Sequence, residues 1–239
     1  YYSGGEIVSD INEIKRLLVE ASHIIANEKL SDAYGHMSAR ITGTDRYIMP
    51  AVSSPALVKI EDLLTLNMND QVIEGTGEQM NESWLHTCIY RLRPDVNAVA
   101  HTHSLMVVIL GTTGQVVRPL HNQSMTLARF TNLQLYDRPG LINTEELGTE
   151  AARKLGNEPA LMLRGHGANV VGRAIQQTVF TALKLEESAK VQLWASAAGQ
   201  PQFFTEEECE SCFPRSRPYS TPVQAKRAWD YYLDRLPRR

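Results

Sequence analysis

Cysteine is scarce, with three residues in a chain of 239. An odd, small set excludes a disulfide framework and points to a reducing cytoplasm. The ~18 consecutive apolar residues needed to cross a bilayer never occur, and no leader pattern opens the chain, so no membrane partner is expected. Long basic blocks are missing too. With 24 basic against 27 acidic residues the net charge is −3, which gives nucleic acid little to hold. Repeats, low-complexity tracts and clear linkers are absent, so the chain reads as one domain. Hydrophobic residues make up 43%, enough for a real core.

Against these absences stands a histidine pair. His101-Thr102-His103 closes the apolar run from Val96 to Ala100. Residues i and i+2 of a strand share a face, so two imidazoles would stand side by side. Two buried imidazoles need two partners, and a divalent metal can serve both. His166 follows the apolar run from Ala160 to Leu163 and lies between Gly165 and Gly167, which permit a tight backbone that leaves the ring accessible. Three histidines with a nearby carboxylate would form a metal site with an open position. Cys209 and Cys212 have the spacing of half a zinc site or a redox pair. No second pair exists, and the glutamates beside them read as a solvated turn or helix start.

Apolar periodicity predicts helices over 8–28, from about 84 to the Arg93-Pro94-Asp95 stop, and over 105–110, 143–155, 174–198 and 224–236. Ser9 or Asp10 caps the first. Strands are expected at 34–41 and 46–50 around a Gly43 turn, at 63–67 with a partner near 71–73, at the His101 run, and at 131–137, 160–163 and 169–171. This alternation implies an α/β fold with a mixed sheet and helices on both faces. Glu82 opens a helix, where acids favour the dipole in any protein. His86 lies one turn later on the same face, placed either to orient Glu82 or to pack beneath the site.

In order, Gly35-His-Met-Ser-Ala-Arg40, Glu82-x-x-x-His86-x-x-Ile89-Tyr90, Arg93-Pro-Asp-Val96, His101-Thr-His-Ser104 and His166-Gly167 resemble the class II aldolase/adducin family. The likeness runs from about residue 10 to about 200. It implies a single-domain α/β/α sandwich with a mixed, largely antiparallel central sheet, one domain over 6–239. It also implies a homotetramer with sites at subunit interfaces. Carried over, His101, His103 and His166 hold one divalent metal (Zn, Mn, Co or Fe), and Glu82 is the catalytic acid/base.

The departures narrow the substrate. His36 stands where sugar-phosphate aldolases of that family have Asn. Ala51-Val52-Ser53-Ser54-Pro55-Ala56 replaces the glycine phosphate turn, and Met80-Asn81 replaces Ser-Ser. The anion cradle is dismantled. Residues 53–58, 163–167 and 227–231 instead resemble a branch of decarboxylases acting on hydroxylated aromatic or pyridine carboxylates. Arg164 suits a carboxylate substrate through two parallel hydrogen bonds, or is a surface arginine in a loop. Ser53, Ser54, His36 and His121 are the other substrate-binding candidates, with packing as the alternative role of His121. The expected activity is metal-dependent decarboxylation of a small carboxylate. Alternatives are retro-aldol cleavage of an unphosphorylated hydroxy acid or sugar acid, iron-dependent oxygenation of a hydroxyaryl acid, and an adducin-like structural module.

Overall fold

The structure is a computed structural model that describes residues 10–125, 133–214 and 222–237. In chain order the elements are α1 (Ile11–Asn27), β1 (His36–Arg40), β2 (Arg46–Pro50), β3 (Leu63–Asn67), β4 (Val72–Glu74), α2 (Ser83–Leu92), β5 (Ala98–Thr102), α3 (Leu105–Thr112), α4 (Asn122–Met125), β6 (Gln134–Tyr136), α5 (Glu145–Leu155), β7 (Ala160–Leu163), β8 (Gly167–Gly172), α6 (Ile175–Ala198), α7 (Glu206–Cys212) and α8 (Pro222–Asp234). The strands form one sheet in the order β4-β3-β2-β1-β5-β8-β7-β6. Among the described residues only the β6–β7 pair is parallel. The expected mixed, largely antiparallel sheet is therefore present.

Side-chain alternation sorts the strands into two cores. Met37, Ala39, Ile48, Ala98, Ala100, Ala168 and Val170 face α1, α3, α6 and α8. Tyr47, Met49, Leu64, Leu66, Val99, Leu161 and Val171 face α2 and α5. Each fully buried aliphatic side chain contributes about 1.5–3 kcal/mol, and both layers are built of them. Local signals fix the helix ends. The Asp10 side chain accepts from Asn12 N at 2.9 Å, so of the two expected caps Asp10 serves α1. Val8 and Ser9, and likewise Thr131 and Asn132 of an expected strand, lie outside the described residues. Thr144 caps α5, acidic Glu145 and Glu146 fill its first turn, and Arg153 and Lys154 its last, each complementing the helix dipole.

Some boundaries differ from the periodicity. The strand expected at 169–171 begins at Gly167, because its ladder with β5 runs to Ala168 and its ladder with β7 to Gly167. The last helix covers Pro222–Asp234 rather than 224–236. The glutamates around the two cysteines form α7, capped by Thr205 with Glu208 reaching back, and both cysteines are free. The helix-start reading of that segment is borne out.

The central register positions the chemistry. His36 pairs with His101 across β1 and β5, and His101 pairs with Asn169 across β5 and β8. One row across three strands thus carries three polar side chains on the α2 face. Gly165 and Gly167 have φ +69° and +151°, and they turn the chain between β7 and β8 so that His166 joins this edge. A Cβ on Gly167 would lie 1.9 Å from Thr102 O. Gly167→Ala should therefore destabilise the protein by about 3 kcal/mol or more, read as a lower urea midpoint at unchanged m.

Candidate metal centre

Four side chains converge where β5 ends. His101 is fully buried, and its Nε2 lies 3.0 Å from His103 Nε2. Glu82 Oε2 lies 3.6 Å from both His101 Nε2 and His166 Nε2. His101 and His103 are on β5 and just past it, His166 is on the β7–β8 turn, and Glu82 is the residue before α2. The structure brings the expected ligands and the expected acid/base together. It adds His36, which forms a second group with Glu82 and His101. Among the described residues, His121 is outside these two groups.

The donor set fits a divalent transition metal. Bare imidazole lone pairs repel at 3.0 Å, so a cation, or a proton on one ring, has to join them. Ligands about 2.1 Å from a tetrahedral ion stand about 3.4 Å apart, close to the separations here. Asn169 Oδ1 lies 2.8 Å from His101 Nδ1. An amide oxygen accepts, so Nδ1 carries the proton and Nε2 keeps its lone pair for the cluster. Sequence reading missed Asn169, which lies on a different strand.

Burial sets the protonation of these rings. It pushes His101 down to about 3, aided by His166 and opposed by the Asn169 bond. Burial, then His101 and His166, push His103 down to about 4. Burial and His101 push His86 to about 3. These imidazoles are neutral at neutral pH, which is the form that binds metal. The His101–Glu82 contact is therefore not an ion pair.

Glu82 does not serve its helix. No cap hydrogen bond forms from its side chain to α2. Instead Ile142 N donates to Oε1 at 2.8 Å, leaving Oε2 toward the histidines. The nearby Asp70 takes the polar side chains of α2: it accepts from Ser83 Oγ and Thr87 Oγ1, each at 2.7 Å. His86 neither orients Glu82 nor merely packs. Its Nε2 is 2.7 Å from His36 Nδ1, and its Nδ1 is 2.7 Å from Ser38 Oγ.

The remaining candidates have other contacts. Arg164 is ion-paired with Asp137 and partly exposed. His121 Nε2 is 3.2 Å from Ser188 Oγ on α6. Ser53 and Ser54 are half-buried in the segment after β2.

The model of the Class II Aldolase and Adducin N-terminal domain matches residues 16–193. A 3,4-dihydroxyphthalate decarboxylase of Arthrobacter keyseri is 28% identical over 75% of this chain and 77% of that protein. An L-fuculose phosphate aldolase of Methanocaldococcus jannaschii is 28% identical over 66% of this chain and 83% of that one. The structure of an L-fuculose 1-phosphate aldolase from Glaciozyma antarctica superposes with a TM-score of 0.78 at 24% identity, covering 93% of this chain and 89% of that one.

Two outcomes follow from the site. Asn169→Ala should weaken zinc binding by about 10–100-fold in a chelator competition assay, with the far-UV spectrum retained. The second concerns pH. The lowered histidines bind fewer protons folded than unfolded, so their contribution is complete above about pH 6.5 and is lost as pH falls toward 4 and 3. Thermal scans of EDTA-treated protein should show Tm declining from pH 6.5 to 4.5, with a shallower slope in His86→Gln.

Proposed function

The chain belongs to the class II aldolase and adducin family and is an enzyme, and from that premise we propose that it is a metal-dependent decarboxylase of a hydroxylated aromatic or heteroaromatic carboxylate. The observation that carries this reading is the His101–His103–His166 group with Glu82 Oε2 turned into it. Likeness to the 3,4-dihydroxyphthalate decarboxylase supports the choice of substrate class. So does the replacement of the aldolase phosphate turn by Ala51-Val52-Ser53-Ser54. The L-fuculose phosphate aldolase likeness keeps retro-aldol cleavage of an unphosphorylated substrate as the second reading.

His101, His103 and His166 would hold the ion. When bound, a divalent ion supplies Lewis-acid stabilisation of the negative charge that builds beside the breaking carbon–carbon bond. Glu82 does the proton work. Its Oε1 is anchored by Ile142 N, so Oε2 can hand a proton to the ring carbon that bears the carboxylate. That carbon becomes tetrahedral and the neighbouring oxygen, which binds as the phenolate, becomes a ketone. The bond to the carboxylate then breaks, carbon dioxide leaves, and the electron pair restores the aromatic phenolate. Solvent returns a proton to Glu82. The neutral rings of His101 and His103 keep protons from competing for the metal position.

Arg164, Ser53 and Ser54 are proposed to touch the substrate. Arg164 would exchange Asp137 for a substrate carboxylate. His121 is assigned the same role from a neighbouring subunit in a cytoplasmic homotetramer of domains spanning 6–239.

The test is carbon dioxide release from a panel of dihydroxyaryl carboxylates by protein reconstituted in turn with Zn, Mn, Co and Fe. His103→Ala should lose both metal and activity. Glu82→Gln should fold and lose at least about 100-fold in kcat. Aldehyde formation from hydroxy acids without carbon dioxide release would favour the aldolase, and full activity without metal would overturn both.

A further inference from the structure

His36 belongs to a buried hydrogen-bonded chain that starts far from the metal group. Tyr90 Oη is 2.8 Å from Ser38 Oγ, Ser38 Oγ is 2.7 Å from His86 Nδ1, and His86 Nε2 is 2.7 Å from His36 Nδ1. All four side chains are buried. Among the described residues one arrangement of protons gives every donor of this chain an acceptor; if His86 Nδ1–H donated to Ser38 Oγ, either the Ser38 or the Tyr90 hydroxyl proton would be left over. Among the described residues the phenol has one acceptor for its own proton, Ser38 Oγ. In the satisfied arrangement Tyr90 donates to that oxygen, Ser38 donates to His86 Nδ1, and His86 Nε2–H donates to His36 Nδ1. A protein interior penalises a buried hydroxyl proton left without an acceptor.

The favoured arrangement fixes His36. Its Nδ1 accepts, so its single proton sits on Nε2. One nitrogen of His36 is occupied by His86, which leaves Nε2 as the nitrogen that can face the Glu82–His101 group. A protonated nitrogen cannot ligate a metal. We propose that His36 is a hydrogen-bond donor to an anionic oxygen of the substrate, held in that tautomer by the positioning residues His86, Ser38 and Tyr90, and that it is not a metal ligand. Of the two overlapping groups that share His101, only the one with His103 and His166 holds the ion. This deepens the decarboxylase reading and rests on it for the kind of substrate. The oxygen is a phenolate or a carboxylate, and both accept from N–H in the same way.

The tautomer is read without turnover. Long-range 1H–15N correlation spectra of histidine-labelled protein, assigned with His36→Gln, should show Nε2–H tautomers for His36 and His86. Adding zinc should leave His36 in that state while shifting the ring nitrogens of His101. A zinc-induced loss of the His36 proton, or an Nδ1–H tautomer, overturns the proposal. Tyr90→Phe, a conservative change, should give His86 mixed tautomers.

Binding of small probes to zinc-loaded protein identifies the oxygen. Catechol has hydroxyls and no carboxylate, and benzoate has the reverse. His36→Leu should weaken one of the two by about tenfold with zinc affinity unchanged, and His36→Gln, which keeps an N–H donor, should restore much of it. Loss of catechol binding assigns the phenolate, and loss of benzoate binding assigns the carboxylate. Unchanged binding of both overturns the proposal. These readouts stand even where no carbon dioxide is released, so failure of the donor role and failure of the decarboxylase reading are told apart.

Discussion

Two imidazole nitrogens 3.0 Å apart, one on a fully buried ring and one on a half-buried ring, are the constraint on which the rest of the site depends. Burial forbids both rings their charge, so proton binding cannot relieve the repulsion cheaply. The surrounding fold is what holds them there. β5 sits centrally, with β1 on one side and β8 on the other. Those two neighbours place His36 and Asn169 level with His101. Asn169 sets the His101 tautomer on one side, and the Tyr90–Ser38–His86 chain bears on His36 from the other. The row would lose its meaning with a slip of one residue, since every side chain would move to the α1 face.

Glu82 shows how a helix end can be freed for chemistry. An acid at that position ordinarily stabilises its helix. Here Asp70, held at φ +60°, takes the Ser83 and Thr87 hydroxyls of α2 and a third contact from Gln79 at 2.8 Å. Burial raises the Asp70 pKa, while those hydrogen bonds lower it. The polar side chains of α2 are thus satisfied without Glu82. Its carboxylate is left with one backbone donor, Ile142 N, and one oxygen turned toward the histidines.

The site was legible in the sequence wherever the residues are close along the chain or carried by a motif. His101 and His103 are two apart where one strand ends, and His166 is marked by its glycines. The helices were legible too, because α1 and α5 repeat apolar residues at helical spacing and carry caps. What escaped was set by register. Asn169 is 68 residues from His101 and sits among apolar neighbours, so alternation alone reads it as one polar residue in a strand. Ser38 shares a face with His36, and that i, i+2 relation was a usable signal. The partner of both, His86, reaches them only because α2 packs on that side of the sheet. Arg164 was read from chemistry without its neighbour, and the neighbour is Asp137 at the end of β6.

Charge explains why the site can work without a free arginine. The convergent group contributes one carboxyl group, Glu82, and the two rings, His101 and His103, that burial keeps neutral. A divalent ion would give this group a net positive charge whether or not Glu82 holds its proton. In a partly dry pocket that charge attracts a carboxylate more strongly than an exposed guanidinium does, because water screens the latter. Arg164 is 41% exposed at its side chain and already balanced by Asp137. On the proposed reading, then, the metal group provides the attraction and Arg164 the orientation. The neutral N–H of His36 adds direction without adding charge. A cationic donor there would raise the affinity of the site for any anion. A neutral one on a buried chain restricts binding to an anion whose oxygen lies at the right place, which makes geometry, not charge, the basis of selection.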